Sequence, residues 1–129
     1  MDEMGLRAED FAAVVCHQPN AKFPRRAARE LGFSSAQIEA GLLAPVIGNT
    51  YAGASPLGLT RALDRAKPGD RLLIVSFGSG AGSDAIVYRV TDAIEARRHL
   101  APTTQVYVDR CHVVDYATYA RWRKKVGLA

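Results

Sequence analysis

The stretch that most restricts the fold is residues 67–93, KPGDRLLIVSFGSGAGSDAIVYRVTDA. Two apolar, β-branched runs flank a segment rich in glycine and serine. Such runs bounded by turn formers predict buried strands rather than helices. We read a strand over RLLIVSFGSG, a turn over AGSD and a second strand over AIVYRVTDA. A hairpin this apolar needs cover on its faces, so the remaining chain must supply packing elements. A third run, Phe11 to Cys16, is made of small and β-branched residues and predicts a strand buried on both faces.

The intervening sequence is helical in pattern. NAKFPRRAARELGF reads as a helix, with Pro24 tolerable in its first turn and Gly32 as its stop. SSAQIEAGLL begins with a capping serine and reads as a short second helix. APVIGNTYAGASPLGLTRALDRAKPGD reads as a loop leading into a helix whose buried side carries Leu57, Leu59 and Leu63. DYATYARWRKKVGLA reads as a terminal helix, with Tyr116, Tyr119 and Trp122 expected to dock on the chain's own core. The stretch before it is left unassigned. Strands interleaved with helices favour an α/β fold in which helices cover a sheet. Three strands make a thin core for such a sheet.

Composition narrows the function classes. The chain has 129 residues, 48% hydrophobic and 23% charged, which fits one folded domain rather than a disordered segment. No apolar run approaches the roughly 20 residues that span a bilayer. The acidic start MDEMGLRAED lacks the apolar core of a signal peptide. Both features predict a cytoplasmic protein without a membrane partner. The net charge is +4, with one basic cluster at Arg25, Arg26 and Arg29 and another at Arg121, Arg123, Lys124 and Lys125. Outside the tail these cations lack interleaved aromatic platforms, so no nucleic-acid partner is expected. Cys16–His17 and Cys111–His112 lack the CxxC or HxxxH spacing that turns two ligands toward one ion, so no metal site is expected.

Three constellations carry chemistry. His17 ends the first strand, and in an open α/β sheet ligands bind beyond the carboxyl ends of strands. An imidazole there can donate to, or take a proton from, a substrate oxygen; by itself it reads more readily as a structural histidine. Asn49, in GNTYAGASPLG, has an amide that can donate to a carbonyl oxygen, or can simply cap a helix. FGSGAGSDA lacks the GxGxxG spacing, because position 83 is serine. A strand pattern rather than a helix follows it. A glycine-rich hairpin bringing backbone amides to a substrate fits better.

HQPNAKFP, IGNTYAGASPLGL, AKPGDRLLIVSFGSGAGSDA and DYATYARWR together resemble the C-terminal part of the thiolase superfamily. Ketoacyl-ACP synthase III-type enzymes share the order: a His-Gln-x-Asn strand end, a GNT loop before a helix, then a glycine-rich hairpin. Within the superfamily the match is to the archaeal type of hydroxymethylglutaryl-CoA synthase. The resemblance implies a partial thiolase-like fold over residues 1–129: the C-terminal half, a mixed sheet with covering helices. It implies condensation of acetyl-CoA with acetoacetyl-CoA to 3-hydroxy-3-methylglutaryl-CoA, in the mevalonate route to isoprenoids. Coenzyme A thioesters are then substrates, and no cofactor is expected.

Carried over by motif position, His17 is the histidine that binds and polarises the acetoacetyl group. Asn49 and Ser79 contact the acyl part of the substrate. Lys22 and Arg26 lie where the family places basic contacts, Lys22 to CoA and Arg26 to the acyl carboxylate. The family's nucleophilic cysteine and its glutamate belong to the N-terminal half, and this sequence shows no counterpart of either. Cys16 cannot substitute, because neighbours on a strand point to opposite faces; it reads as a small buried hydrophobe. The resemblance thus implies a partner half that supplies both groups. An alternative is a non-catalytic acyl-CoA-binding or assembly module, in a complex with a thiolase and an OB-fold scaffold.

Overall fold

The computed structural model describes residues 1, 4–78 and 82–125. Three strands form one mixed sheet in the order β1 (Ala13–Cys16), β2 (Arg71–Gly78), β3 (Gly82–Arg89). β1 and β2 run parallel, with Ala13 opposite Leu72 and Cys16 opposite Val75; β2 and β3 form the antiparallel hairpin. Between β1 and β2 come α1 (Lys22–Glu30), α2 (Ser35–Glu39), α3 (Ala44–Ile47) and α4 (Ala54–Leu63). After the sheet come α5 (Ala93–Arg97), α6 (Thr104–Asp109) and α7 (Tyr116–Trp122). The α/β expectation holds. Among the described residues no helix is long and apolar enough to cross a membrane.

Side-chain alternation gives the sheet two buried faces. Ala13, Val15, Leu72 and Ile74 pack with Ala62, Ala66 and Val90 on the α4 side. Val14 and Leu73 pack with Phe11, Ala28, Phe33 and Ile38 on the α1–α2 side. β1 is buried on both faces, as its composition predicts.

Local signals account for the helix ends. Gly32 takes a positive φ of 88°, and its N–H donates to the Arg29 carbonyl while Phe33 N–H donates to Ala28. These paired bonds close α1 with orphan carbonyls satisfied. Ser34 caps α2 in a reciprocal box with Gln37. Asp115 caps α7, accepting from Thr118 N–H at 2.7 Å.

Several expectations are corrected. β1 is shorter than Phe11–Cys16, beginning at Ala13. β3 begins at Gly82, inside the expected AGSD turn, because the hairpin register carries pairing to Gly78 opposite Gly82. The buried side of α4 is led by small residues. Ala54, Ser55, Gly58 and Ala62 are buried, while Leu59 and Leu63 pack part-buried against the core and Leu57 is on the outside. The reason is close approach: a Cβ on Gly58 would lie 2.6 Å from Val15 Cγ1. The tail aromatics do not dock on the core either. Tyr116 and Trp122 are 76% and 69% exposed, and only Ala120 of α7 is buried. The unassigned stretch contains α5 and α6, too short to show a helical period. They are tied back to α4, Arg98 donating to the Asp64 and Ala66 carbonyls and Thr104 N–H to the Asp64 carboxylate.

Candidate active site

At the carboxyl end of β1, the His17 N–H donates to the Val75 carbonyl at 2.7 Å, which extends the parallel pairing by one step. His17 is the first residue past β1, and its side chain lies at the open end of the sheet. The imidazole meets Phe77 edge-on, with centroids 4.6 Å apart at 68°, and Phe23 of α1 backs Phe77 at 5.8 Å. These rings fix the imidazole from the side.

Cys16, one residue earlier, packs on the opposite face against the α1–α2 cluster. Burial pushes its thiol pKa up, which disfavours the thiolate that nucleophilic attack requires.

Asn49 sits in the loop before α4. Its Oδ1 accepts from Tyr51 N–H at 2.8 Å, closing an Asx turn. With the oxygen engaged, the amide NH2 is left as the outward donor. Tyr51 holds a positive φ of 51°, strained backbone beside the site.

His17 and Asn49 line one pocket of about 500 Å³, together with Tyr51, Ala52, Ser76, Phe77, Gly78, Gly82 and Asp84. Two donors converging there can hold and polarise one carbonyl oxygen, and can stabilise negative charge that develops on it. Ser79 lies outside the described residues. Lys22 and Arg26 do not reach this pocket. They line a separate basic concavity on α1 with Arg25 and Arg29. There Arg26 is paired with Glu30 at 2.9 Å, on an exposed surface.

A sequence reading misses four residues of this site. Gln18, buried beside His17, donates from Nε2 to the Gly41 and Ala54 carbonyls and accepts at Oε1 from Leu43 and Ala44 N–H. It thereby binds β1 to the start of α3 and to the first turn of α4, and so to the loop that carries Asn49. Phe77 orients the histidine. Ser76 accepts from the buried Ser55 hydroxyl of α4 at 3.1 Å, and Asp84 lies opposite Ser76 in the hairpin. Asp84 and Ser76 stand next to the glycine-rich turn, the only local signal for them; Gln18 and Phe77 give none beyond the motif itself.

The profile of the family described as 3-oxoacyl-(acyl-carrier-protein) synthase III C terminal matches residues 1–90. The chain belongs to that family. Hydroxymethylglutaryl-CoA synthase from Methanothermobacter thermautotrophicus is 54% identical over 129 residues, covering 100% of this chain and 37% of that protein. The enzyme of the same name from Pyrococcus horikoshii is 57% identical over 125 residues, covering 97% and 36%. Among solved structures, PksG, a HMG-CoA synthase from Bacillus subtilis, superposes with a TM-score of 0.71 at 20% identity, covering 89% of this chain and 32% of that one. That likeness establishes the thiolase-like fold expected from the motifs. The chain spans little more than a third of the length of these curated relatives. His17, Asn49 and the pocket they line all fall within the segment that the synthase III profile matches.

Proposed function

We propose that this chain is the C-terminal catalytic segment of a hydroxymethylglutaryl-CoA synthase, working with an N-terminal companion that supplies a nucleophilic cysteine and a glutamate. The observation that carries this reading is the convergence of the His17 imidazole and the Asn49 amide on one pocket. The archaeal relatives, at 54% and 57% identity, support the substrate class.

In this reading the cysteine of the companion carries an acetyl group as a thioester, and the glutamate removes a methyl proton. The resulting carbon attacks the C3 ketone of acetoacetyl-CoA, forming the new carbon–carbon bond. The ketone π electrons move onto oxygen, where His17 and Asn49 donate and His17 delivers the proton. Water then cleaves the acetyl thioester, leaving a free carboxylate on the CoA product and regenerating the thiol. Lys22, on the basic face of α1 outside the acyl pocket, serves the CoA phosphates by charge; Arg26, in the same concavity, is too far from the pocket to hold the acyl carboxylate there. The reaction belongs to the cytoplasmic mevalonate route.

The test is reconstitution with the companion polypeptide and measurement of CoA release from acetyl-CoA and acetoacetyl-CoA. His17→Ala is expected to lower turnover by about 10²-fold or more. Unchanged activity in that variant removes His17 from the mechanism.

A second reading is favoured by one observation, the exposed Tyr116 and Trp122 on α7. Exposed aromatics are suited to a protein interface. The chain would then be an acyl-CoA-binding or assembly module, contacting a thiolase or an OB-fold scaffold. Calorimetry separates the two: tight binding of acetoacetyl-CoA without any companion favours the module.

A further inference from the structure

The pocket floor has a row of three polar side chains across three adjacent strands. His17 follows the Cys16–Val75 pair, so it stands beside Ser76 on β2; Ser76 is paired with Asp84 on β3. Cross-strand partners share a face and stand about 5 Å apart at Cβ. Ile74, two residues before Ser76, belongs to the cluster packed under α4. Ser76 and Asp84 therefore lie on the α4 face, and His17, at the end of β1, lines the same pocket.

The hydroxyl of Ser55 sets the polarity of this row. Ser55 is 3% exposed on the inner side of α4, and its Oγ donates to Ser76 Oγ at 3.1 Å. A buried hydroxyl must spend its proton on a partner, and Ser76 is the one Ser55 has among the described residues. Ser76 is thereby held as an acceptor toward the helix, which leaves its own proton to be donated into the pocket. Asp84 is ordinarily a carboxylate and can only accept. No hydrogen bond joins Ser76 to Asp84, and no salt bridge engages Asp84, among the described residues. The two groups thus offer one donor and one acceptor side by side. A ketone oxygen can use the first and not the second. An alcohol can use both.

We propose that Ser76 and Asp84 form a hydroxyl-recognition subsite beside His17 and Asn49, with Ser76 donating to an alcohol on the acyl chain and Asp84 accepting from it. The proposal rests on reading the pocket as an acyl-thioester site. In that setting the oxygen that enters as a ketone leaves as an alcohol, and the Ser76–Asp84 pair distinguishes the two. Ser55 is a positioning residue, acting through Ser76.

The experiment compares acetoacetyl-CoA with 3-hydroxybutyryl-CoA, which differ at that one oxygen. Binding is measured by calorimetry on the full chain, and again with the companion polypeptide present. Asp84→Ala is expected to weaken the hydroxy ligand by about 10-fold or more, because a hydrogen bond to a charged acceptor is lost, and to leave the oxo ligand within about twofold. Ser76→Ala weakens both ligands several-fold, and Ser76→Thr, which keeps the hydroxyl, restores them. Equal weakening of both ligands by Asp84→Ala, as a bound water alone would give, overturns the subsite. So does Asp84→Ala with no effect on either. Failure of the unmodified protein to bind either ligand in both settings overturns the acyl-thioester reading and this inference with it.

Discussion

The Gln18 side-chain oxygen lies 2.6 Å from the Leu43 backbone nitrogen, across 25 residues of sequence. The same oxygen accepts from Ala44 at 2.8 Å, and the amide nitrogen donates to Gly41 at 3.0 Å and Ala54 at 3.3 Å. One side chain therefore binds four backbone groups, of which the Gly41 carbonyl and the Leu43 and Ala44 N–H groups have no ladder of their own and the Ala54 carbonyl opens α4. Gln18→Ala leaves the Gly41 carbonyl and the Leu43 and Ala44 N–H groups unpaired in the interior. Each orphaned group costs about 1–3 kcal/mol, so we expect a loss of about 3 kcal/mol or more in urea unfolding. Gln18→Glu keeps the acceptor and removes the donors, and is expected to fall between.

Gly58 is where α4 crosses β1. A methyl group there would meet Val15 Cγ1 at 2.6 Å, the Gly41 carbonyl at 2.7 Å and Gln18 Nε2 at 3.0 Å. The carbonyl is backbone and cannot step aside cheaply. Gly58→Ala should therefore destabilise by about 1–3 kcal/mol, as overpacking does, despite alanine's better helix propensity. At Gly53 the nearest atom to an added Cβ is at 3.7 Å. Gly53→Ala is the matched control and should leave the unfolding midpoint nearly unchanged.

These two residues also mark how far the sequence could be read. The strands and the hairpin were legible because apolar runs between Gly and Pro signals depend only on local order. His17 and Asn49 were legible because their motifs occur in a fixed order along the chain. The close packing of α4 was only half legible, since a helix that buries Gly58, Ala54 and Ala62 carries little hydrophobic signal, and of its three leucines Leu59 and Leu63 pack while Leu57 does not. Gln18, Ser76 and Asp84 stayed hidden for a related reason. Each takes its role from a partner on another element, 21 residues away for Ser55 and Ser76. The aromatic tail misled because periodic aromatics usually pack, and here Ala120 alone does.

Cys16 gives a pH signature. Burial raises its thiol pKa above the ordinary value of 9.0. The folded state then holds this proton to higher pH than the unfolded chain does. The stability linked to it is fully present below the unfolded value and is lost as pH rises through the folded one. Wild-type protein should therefore lose more stability than Cys16→Ala between pH 8 and pH 10, read from paired urea unfolding curves; parallel losses would contradict the assignment. Iodoacetamide should also alkylate the exposed Cys111 at least about tenfold faster than Cys16.

Asn49 has two separable jobs, and two substitutions divide them. Its oxygen holds the Asx turn to Tyr51, and its nitrogen is the donor left for the pocket. Asn49→Asp keeps an oxygen at the turn, removes the donor and places negative charge where the oxyanion would form. Stability should stay within about 0.5 kcal/mol, the range of a surface change, while turnover in the reconstituted enzyme falls by about 10²–10³-fold. Asn49→Ala removes both functions. It should lose turnover to a similar degree and also lower the melting temperature, because the turn that supports the positive φ of Tyr51 is weakened. If Asn49→Asp turned over normally, the amide donor would have no part in catalysis, and Asn49 would be a turn residue only.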